Sequence, residues 1–188
     1  MSRQPKAKLL VLETAQKLVA EQGTGALTFE ALSKASGVTR GGITYHFPTK
    51  DALLKALIAH DMQQWMEAEQ AFAPDGVCDQ TSALIADIRS YTTSTPEYRR
   101  FVSGMVGAAM LEPDLLDPVR KFHCERFDQL DWSEADIRRM LLRLAAEGLF
   151  WMETFNCYDM PAEARKRLVL KIEMMAKTWA DEPEKNNS

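Results

Sequence analysis

Thr28-Phe29-Glu30-Ala31-Leu32-Ser33-Lys34-Ala35-Ser36-Gly37-Val38-Thr39-Arg40-Gly41-Gly42-Ile43-Thr44-Tyr45-His46-Phe47 packs two helix starts and two helix stops into residues 28–47. Thr28 is a good N-cap, and Leu27 before it can staple to Leu32 four residues into the helix. Gly37 then ends a helix of about two turns, because glycine takes the left-handed cap conformation without penalty. Val38-Thr39 repeats the device: Thr39 caps a further helix and Val38 can staple to Ile43. That helix stops by Phe47, since Pro48 disfavours helical geometry in the residue before it. The layout is short helix, glycine turn, short helix, which is that of a helix-turn-helix reader of nucleic acid.

The second of these helices makes poor sense as a purely structural element. Gly41 and Gly42 in its first turn each cost about 1 kcal/mol relative to alanine, and no core contact is expected to repay them. Glycine there leaves backbone bare, as a helix N-terminus needs if another surface is to come close. Arg40 can donate a bidentate pair to a guanine edge, and Thr44, Tyr45 and His46 carry groups suited to phosphate or base contact. Lys50 opens the next helix, where the positive end of the dipole disfavours a cation; a phosphate would account for it.

Outward from this stretch the chain continues to read as helix. Upstream, Val11, Leu12, Ala15, Leu18 and Val19 fall on one helical face that Gly23 can close. Downstream, Thr49 caps a helix with Leu53, Leu54, Leu57 and Ile58 on one side, broken at Pro74-Asp75-Gly76. Further helices are predicted at about Thr81 to Thr93, Pro96 to Leu111, Leu115 to Leu130, Glu134 to Phe155 and Ala162 to Ala180, with starts and stops at Thr95-Pro96, Glu112-Pro113, Asp117-Pro118, Ser133 and Met160-Pro161. No alternating β-branched run bounded by turn signals occurs, so no strand is predicted and the fold class is all-α, about nine helices. A short polar tail runs from Glu182 to Ser188.

Charge and composition divide the chain near the same place. Residues 1–56 carry eight basic against four acidic side chains, a charge of +4, and the remainder carries 15 against 23, a charge of −8. All four tryptophans, and every methionine except Met1, lie after residue 56. Two domains are expected: residues 1–56 as the DNA-binding part and 57–188 as a regulatory part. The overall charge of −4 and pI near 5.5, which by themselves argue against nucleic-acid binding, average over these opposites.

Other classes fall away. The longest apolar run, Gly104 to Leu111, is far short of the roughly 20 residues a membrane span needs, and the polar, basic start lacks a signal-peptide core. Cys78, Cys124 and Cys157 are odd in number and widely spaced, which fits a reducing compartment and argues against a zinc site. A cytoplasmic protein without cofactor, metal or membrane partner is expected. An enzyme reading finds no G-x-S-x-G, phosphate loop or H-E-x-x-H, and His46, His60 and His123 stand apart. A helical adaptor without DNA binding would leave Arg40-Gly41-Gly42 unexplained.

The ordered set from Thr28 to Ser33, Ala35 to Gly41 and Tyr45 to Leu54 resembles the N-terminal signature of the TetR/AcrR family of bacterial transcriptional regulators, over about residues 8 to 58. The resemblance implies a homodimer on a palindromic double-stranded DNA operator, repression as the default action, and a small-molecule inducer held by the C-terminal domain. Carried onto this sequence, it makes Thr28 and Thr39 phosphate-contacting caps, places Arg40 and Gly41 where the family reads bases, and makes Tyr45, His46 and Lys50 phosphate contacts. Two departures stand out: Gly42 replaces a side chain that often contacts a base, and Thr44 replaces a frequent aromatic or leucine. Direct readout then shifts onto Arg40 and Thr44. The basic residues Arg3, Lys6 and Lys8 offer further groove or phosphate contacts. A metabolite-sensing regulator or an activator of the same family is the alternative reading.

In the C-terminal part, Leu141, Leu144, Ala145, Gly148 and Trp151 fall at 3-4 spacing, and Leu168, Ile172, Met175 and Trp179 form a matching stripe. By the resemblance these two helices form a four-helix interface with a second copy; the other possibility is that both faces only cover the protomer's own core. Met62, Trp65, Met66, Phe101, Met105, Met110, Phe122, Trp151, Met152 and Phe155 are candidate ligand-lining residues, aromatic and thioether groups able to adapt to apolar ligands. Glu67, Glu112 and Glu153 are candidate charge partners for a cationic one.

Overall fold

The computed structural model describes residues 3–71 and 80–179. The break expected at Pro74-Asp75-Gly76, Cys78, the expected helix end at Ala180 and the tail Glu182 to Ser188 lie outside these residues. Among the described residues there are nine α-helices and no strand: α1 (Arg3–Gln22), α2 (Phe29–Ser36), α3 (Arg40–His46), α4 (Lys50–Ala71), α5 (Gln80–Thr92), α6 (Pro96–Leu111), α7 (Asp117–Phe127), α8 (Glu134–Thr154) and α9 (Ala162–Thr178).

The local signals act where the sequence puts them. Gly23, at φ +77°, follows α1 and returns its N–H to the Val19 carbonyl at 2.9 Å. The Thr28 hydroxyl accepts the Ala31 N–H at 3.1 Å, and the Thr49 hydroxyl accepts that of Ala52 at 3.0 Å. Gly37 takes φ +72° and closes α2 through its N–H to the Ser33 carbonyl at 3.0 Å. Thr95 caps α6 ahead of Pro96, and Ser133 caps α8. One helix is shorter than its apolar pattern suggests. Pro113–Leu116 form a 3-10 turn before α7, and α7 ends at Phe127, where the Leu130 N–H folds back onto the Phe127 carbonyl at 3.1 Å and Trp132 adopts φ +56°. Apolar periodicity runs through Leu130 unaffected by this reversal, so it overstates the helix.

By packing the described residues fall into two compact units, those within 1–64 and 95–125 and those within 65–94 and 126–188. The charge division at residue 56 lies inside α4. In the first unit Val11, Ala15 and Val19 of α1, Leu32 of α2, Ile43 of α3, Leu53 and Leu57 of α4 and Phe101 and Met105 of α6 form one buried core. Each fully buried aliphatic or aromatic side chain contributes about 1.5–3 kcal/mol, so these anchors hold the short α2 and α3, which could not persist alone. α6 lies so close to α1 that a Cβ at Gly104 would stand 2.9 Å from the Val19 Cγ1.

In the second unit α5, α8 and α9 each supply an i, i+4 pair to the core: Leu84 and Ile88, Leu142 and Ala146, Ile172 and Ala176. Asp87 of α5, 1% exposed, is ion-paired by Arg143 of α8 and, at 3.4 Å, by Arg126 of α7. Glu173 accepts two bonds from Arg89 at 3.0 and 3.2 Å, and Arg165 binds both the Glu153 carboxylate and the Thr92 carbonyl. Of these pairs that of Asp87 is buried; such a pair adds little net stability, but loss of its partners strands a charge.

Candidate nucleic-acid interface

α3 is oriented by what it buries. Ile43 and Phe47 are in the core, which leaves Arg40, Gly41 and Tyr45 exposed on the other side with Thr44 at its edge; Tyr45 is 71% exposed. Thr39 accepts the Gly42 N–H at 3.2 Å, and the Phe47 N–H closes the helix on the Ile43 carbonyl at 2.8 Å. His46 is half-buried with its ring edge-on to Tyr45, centroids 5.2 Å apart. The Thr44 hydroxyl donates to the carbonyls of Arg40 and Gly41 at 3.0 and 3.2 Å.

The two glycines differ. A Cβ at Gly41 would meet nothing within 4 Å, so the protein itself does not require glycine there. A Cβ at Gly42 would lie 3.1 Å from the Val38 Cγ1 and 3.3 Å from the Thr39 hydroxyl. The expectation that no contact within the protein bears on the pair therefore holds at Gly41 and not at Gly42, where an added Cβ would make the Val38 methyl and the Thr39 hydroxyl give way by a few tenths of an ångström. Ser33 secures the same turn by donating to the Val38 carbonyl at 2.8 Å.

Leu27, Thr28, Phe29, Glu30, Arg40, Lys50 and Leu53 line a cleft of about 320 Å³ in which the starts of α2, α3 and α4 converge. Lys50 donates to the Thr24 carbonyl at 2.8 Å, which ties the turn after α1 to the start of α4. Thr28, Thr39, Arg40 and Lys50 are all exposed. The structure thus brings two cations and helix N-termini together at one opening, an arrangement that attracts phosphate. Lys6 and Lys8 are exposed on α1.

Two family models cover most of the chain. Residues 11–57 match the model described as bacterial regulatory proteins, tetR family, and residues 86–177 match that of the tetracyclin repressor-like C-terminal domain. The chain belongs to the TetR family. This TetR-family regulator also shares its fold with solved structures of low identity. A transcriptional regulator from Rhodococcus sp. Rha1 is 19% identical with a TM-score of 0.67, the match covering 97% of this chain and all of that one. A putative transcriptional regulator from Saccharomonospora viridis in complex with choline is 15% identical with a TM-score of 0.67, over 93% and 97% of the two chains. The multidrug binding protein EbrR, complexed with imidazole, is 18% identical with a TM-score of 0.61, over 92% and 93%. No curated protein matches the sequence. The chain is a transcriptional regulator of the DNA-binding, ligand-responsive kind, and no helix among its described residues is long and apolar enough to cross a membrane.

The ligand-lining candidates of this TetR-family chain are distributed over both units. In the first, Phe101 and Met105 are buried core, Met62 packs against that core, Phe122 is half-buried, and Met110 is 80% exposed. In the second, Trp65 stands edge-on to Tyr91 at 4.7 Å, Tyr91 to Phe150 at 5.9 Å and Phe150 to Trp151 at 5.1 Å, with Phe155 stacked on Trp151 at 5.6 Å. Met66 is half-buried, and Met152 and Phe155 are exposed. Of the proposed charge partners, Glu153 is taken by Arg165, and Glu67 and Glu112 are exposed. Sequence reasoning passed over Glu147, which accepts the Trp151 indole N–H at 3.1 Å and lies near enough to Tyr91 to help burial push that phenol's pKa up. Its i, i+4 spacing from Trp151 was the available signal. Among the described residues no group of three His, Cys, Asp or Glu could hold a metal, and Cys124 and Cys157 are exposed free thiols.

The two helices expected to meet a second copy behave differently. On α8, Leu141, Leu144, Ala145 and Gly148 are exposed, Trp151 is half-buried, and a Cβ at Gly148 would meet nothing within 4 Å. On α9, Ile172 is buried in the protomer's own core, Met175 and, just past the helix end, Trp179 pack against it, and Trp179 lies beneath the Arg138 guanidinium at 5.6 Å; only Leu168 of that stripe is exposed. The exposed apolar residues of α9 are instead Leu168, Leu170 and Met174, which line one surface groove with Ala164, Arg167 and Lys171.

Proposed function

We propose that this TetR-family regulator is a cytoplasmic repressor that binds a palindromic operator as a homodimer and releases it when a small, largely apolar and cationic molecule binds its C-terminal part. The observation that carries the reading is α3: Ile43 and Phe47 anchor one side in the core while Arg40, bare Gly41 and Tyr45 face outward beside the cation-bearing cleft. Each protomer lays α3 in a major groove, with half-sites about one helical turn or a multiple of it apart. Thr28, Thr39, Tyr45, His46 and Lys50 grip the backbone, and Arg40 and Thr44 read bases. Support for a cationic ligand comes from the linked rings of Trp65, Tyr91, Phe150 and Trp151 with the Glu147 carboxylate beside them, since ring faces and a carboxylate both attract ammonium groups. The choline and imidazole held by two proteins of the same fold are in keeping with that chemistry. Ligand binding favours a protomer arrangement in which the two α3 helices no longer match the groove spacing.

The test is a gel shift at fixed salt with the DNA upstream of the chain's own gene, repeated with choline and with larger aromatic cations. A shifted band weakened by one of these compounds is expected. A protein stabilised thermally by such a compound, yet with unchanged DNA affinity, would sink the release mechanism, and failure to shift any upstream DNA would sink the repressor reading.

A further inference from the structure

We infer that Thr44 selects a thymine in each half-site through its methyl group rather than its hydroxyl. The inference rests on the reading that α3 enters the major groove. Threonine in a helix can turn its hydroxyl back to a carbonyl three or four residues earlier, and Thr44 does so twice, to Gly41 and Arg40. The hydroxyl proton is spent inside the helix, and with the oxygen drawn back against the backbone, the other heavy atom on Cβ is the methyl. A methyl finds its counterpart in the major groove at the C5-methyl of thymine, the one apolar group a base displays there.

A side chain this short reads a base only if the helix backbone comes close. Gly41 permits that approach: it is exposed, and a Cβ added to it would meet no protein atom within 4 Å, so the space beside Thr44 is left open on the outer face. Gly42 also lacks a Cβ, and one added there would press on Val38 and Thr39. Arg40, one turn before Thr44 on the same side of α3, is exposed and free to donate to a guanine. The pair therefore divides the readout, Arg40 by hydrogen bonds and Thr44 by apolar contact.

The experiment selects duplexes from a randomised DNA pool with the full-length protein, then replaces each thymine of the recovered site by deoxyuridine, which lacks only the C5-methyl. Affinities are measured by fluorescence anisotropy at one salt concentration for wild type, Thr44→Val and Thr44→Ser, with thermal melts confirming that each is folded. Expected is one thymine per half-site whose replacement weakens wild type about fourfold, the worth of one buried methylene. Thr44→Val, which keeps the methyl, should show the same loss; Thr44→Ser, which keeps the hydroxyl, should bind more weakly and ignore the replacement. The inference is overturned if every thymine is neutral in wild type, if Thr44→Ser keeps the fourfold effect, or if Thr44→Val loses it. Recovery of no specific duplex overturns the DNA-reading role of α3 as well.

Discussion

At Asp61 the carboxylate accepts one hydrogen bond, from the Tyr98 hydroxyl at 3.2 Å, and burial pushes its pKa up to about 7. An unfolded chain would release that proton near the ordinary aspartate value of 3.8. Between these values the folded state holds a proton the unfolded state has lost, so this group's contribution to stability falls as pH rises from about 4 to about 7 and is constant above. Asp61→Asn retains an acceptor for Tyr98 and removes the titration. Thermal melts should therefore show the variant more stable than wild type at about pH 8, by an amount on the order of a few kcal/mol, with the gap narrowing as pH falls through 7 and closing near pH 4. Arg40 and Lys50 separate two other kinds of residue effect. Arg40→Ala should weaken specific DNA binding by about 1–3 kcal/mol and relax one base preference. Lys50→Ala should weaken all sequences alike and shallow the salt dependence; a sequence-dependent loss in a salt titration would contradict it.

Helices α2 and α3 were legible because their signals are local. Thr28, Gly37 and Thr39 act on backbone groups within three or four residues, and each makes the bond its type and spacing predict. The role of Gly42 was not legible, since it depends on the path by which Val38 returns over the cap. Substituting the neighbouring glycine separates fold from reading: Gly41→Ala should raise the stability of the free protein by up to about 1 kcal/mol through helix propensity, yet weaken DNA binding by standing the helix off the groove. A melt and an anisotropy titration on the same variant check both signs. For α6, Gly104→Ala should cost about 1–3 kcal/mol in denaturant unfolding, because the new Cβ would stand 2.9 Å from Val19 and force α6 off α1.

For the molecule as a whole, the proposed homodimer would be built from the apolar residues left over after each core is filled. Leu141 and Leu144 on α8 are 52% and 53% exposed, and Leu170 and Met174 of α9 are exposed as well. Leu144→Asp should sediment as a folded monomer at micromolar concentration and lose most operator affinity, whereas Ile172→Asp should fail to fold, since that side chain is already buried with Leu84 and Leu142. A Leu144→Asp protein that still sediments as a dimer would place the interface elsewhere. In the proposed complex, the charge of −8 after residue 56 would repel phosphate and favour docking through the +4 segment.

The all-α class, the short capped helices and the exposed Arg40-Gly41 start of α3 follow from the sequence alone, because caps, glycine stops and apolar spacing act within one or two turns of helix. Only the tertiary structure decided which stripe of a long helix faces its own core. On α9, Ile172 and Ala176 turn inward while Leu168, Leu170 and Met174 remain outside. Periodicity measures spacing along one helix; the choice between two apolar stripes on that helix belongs to the helices it packs against.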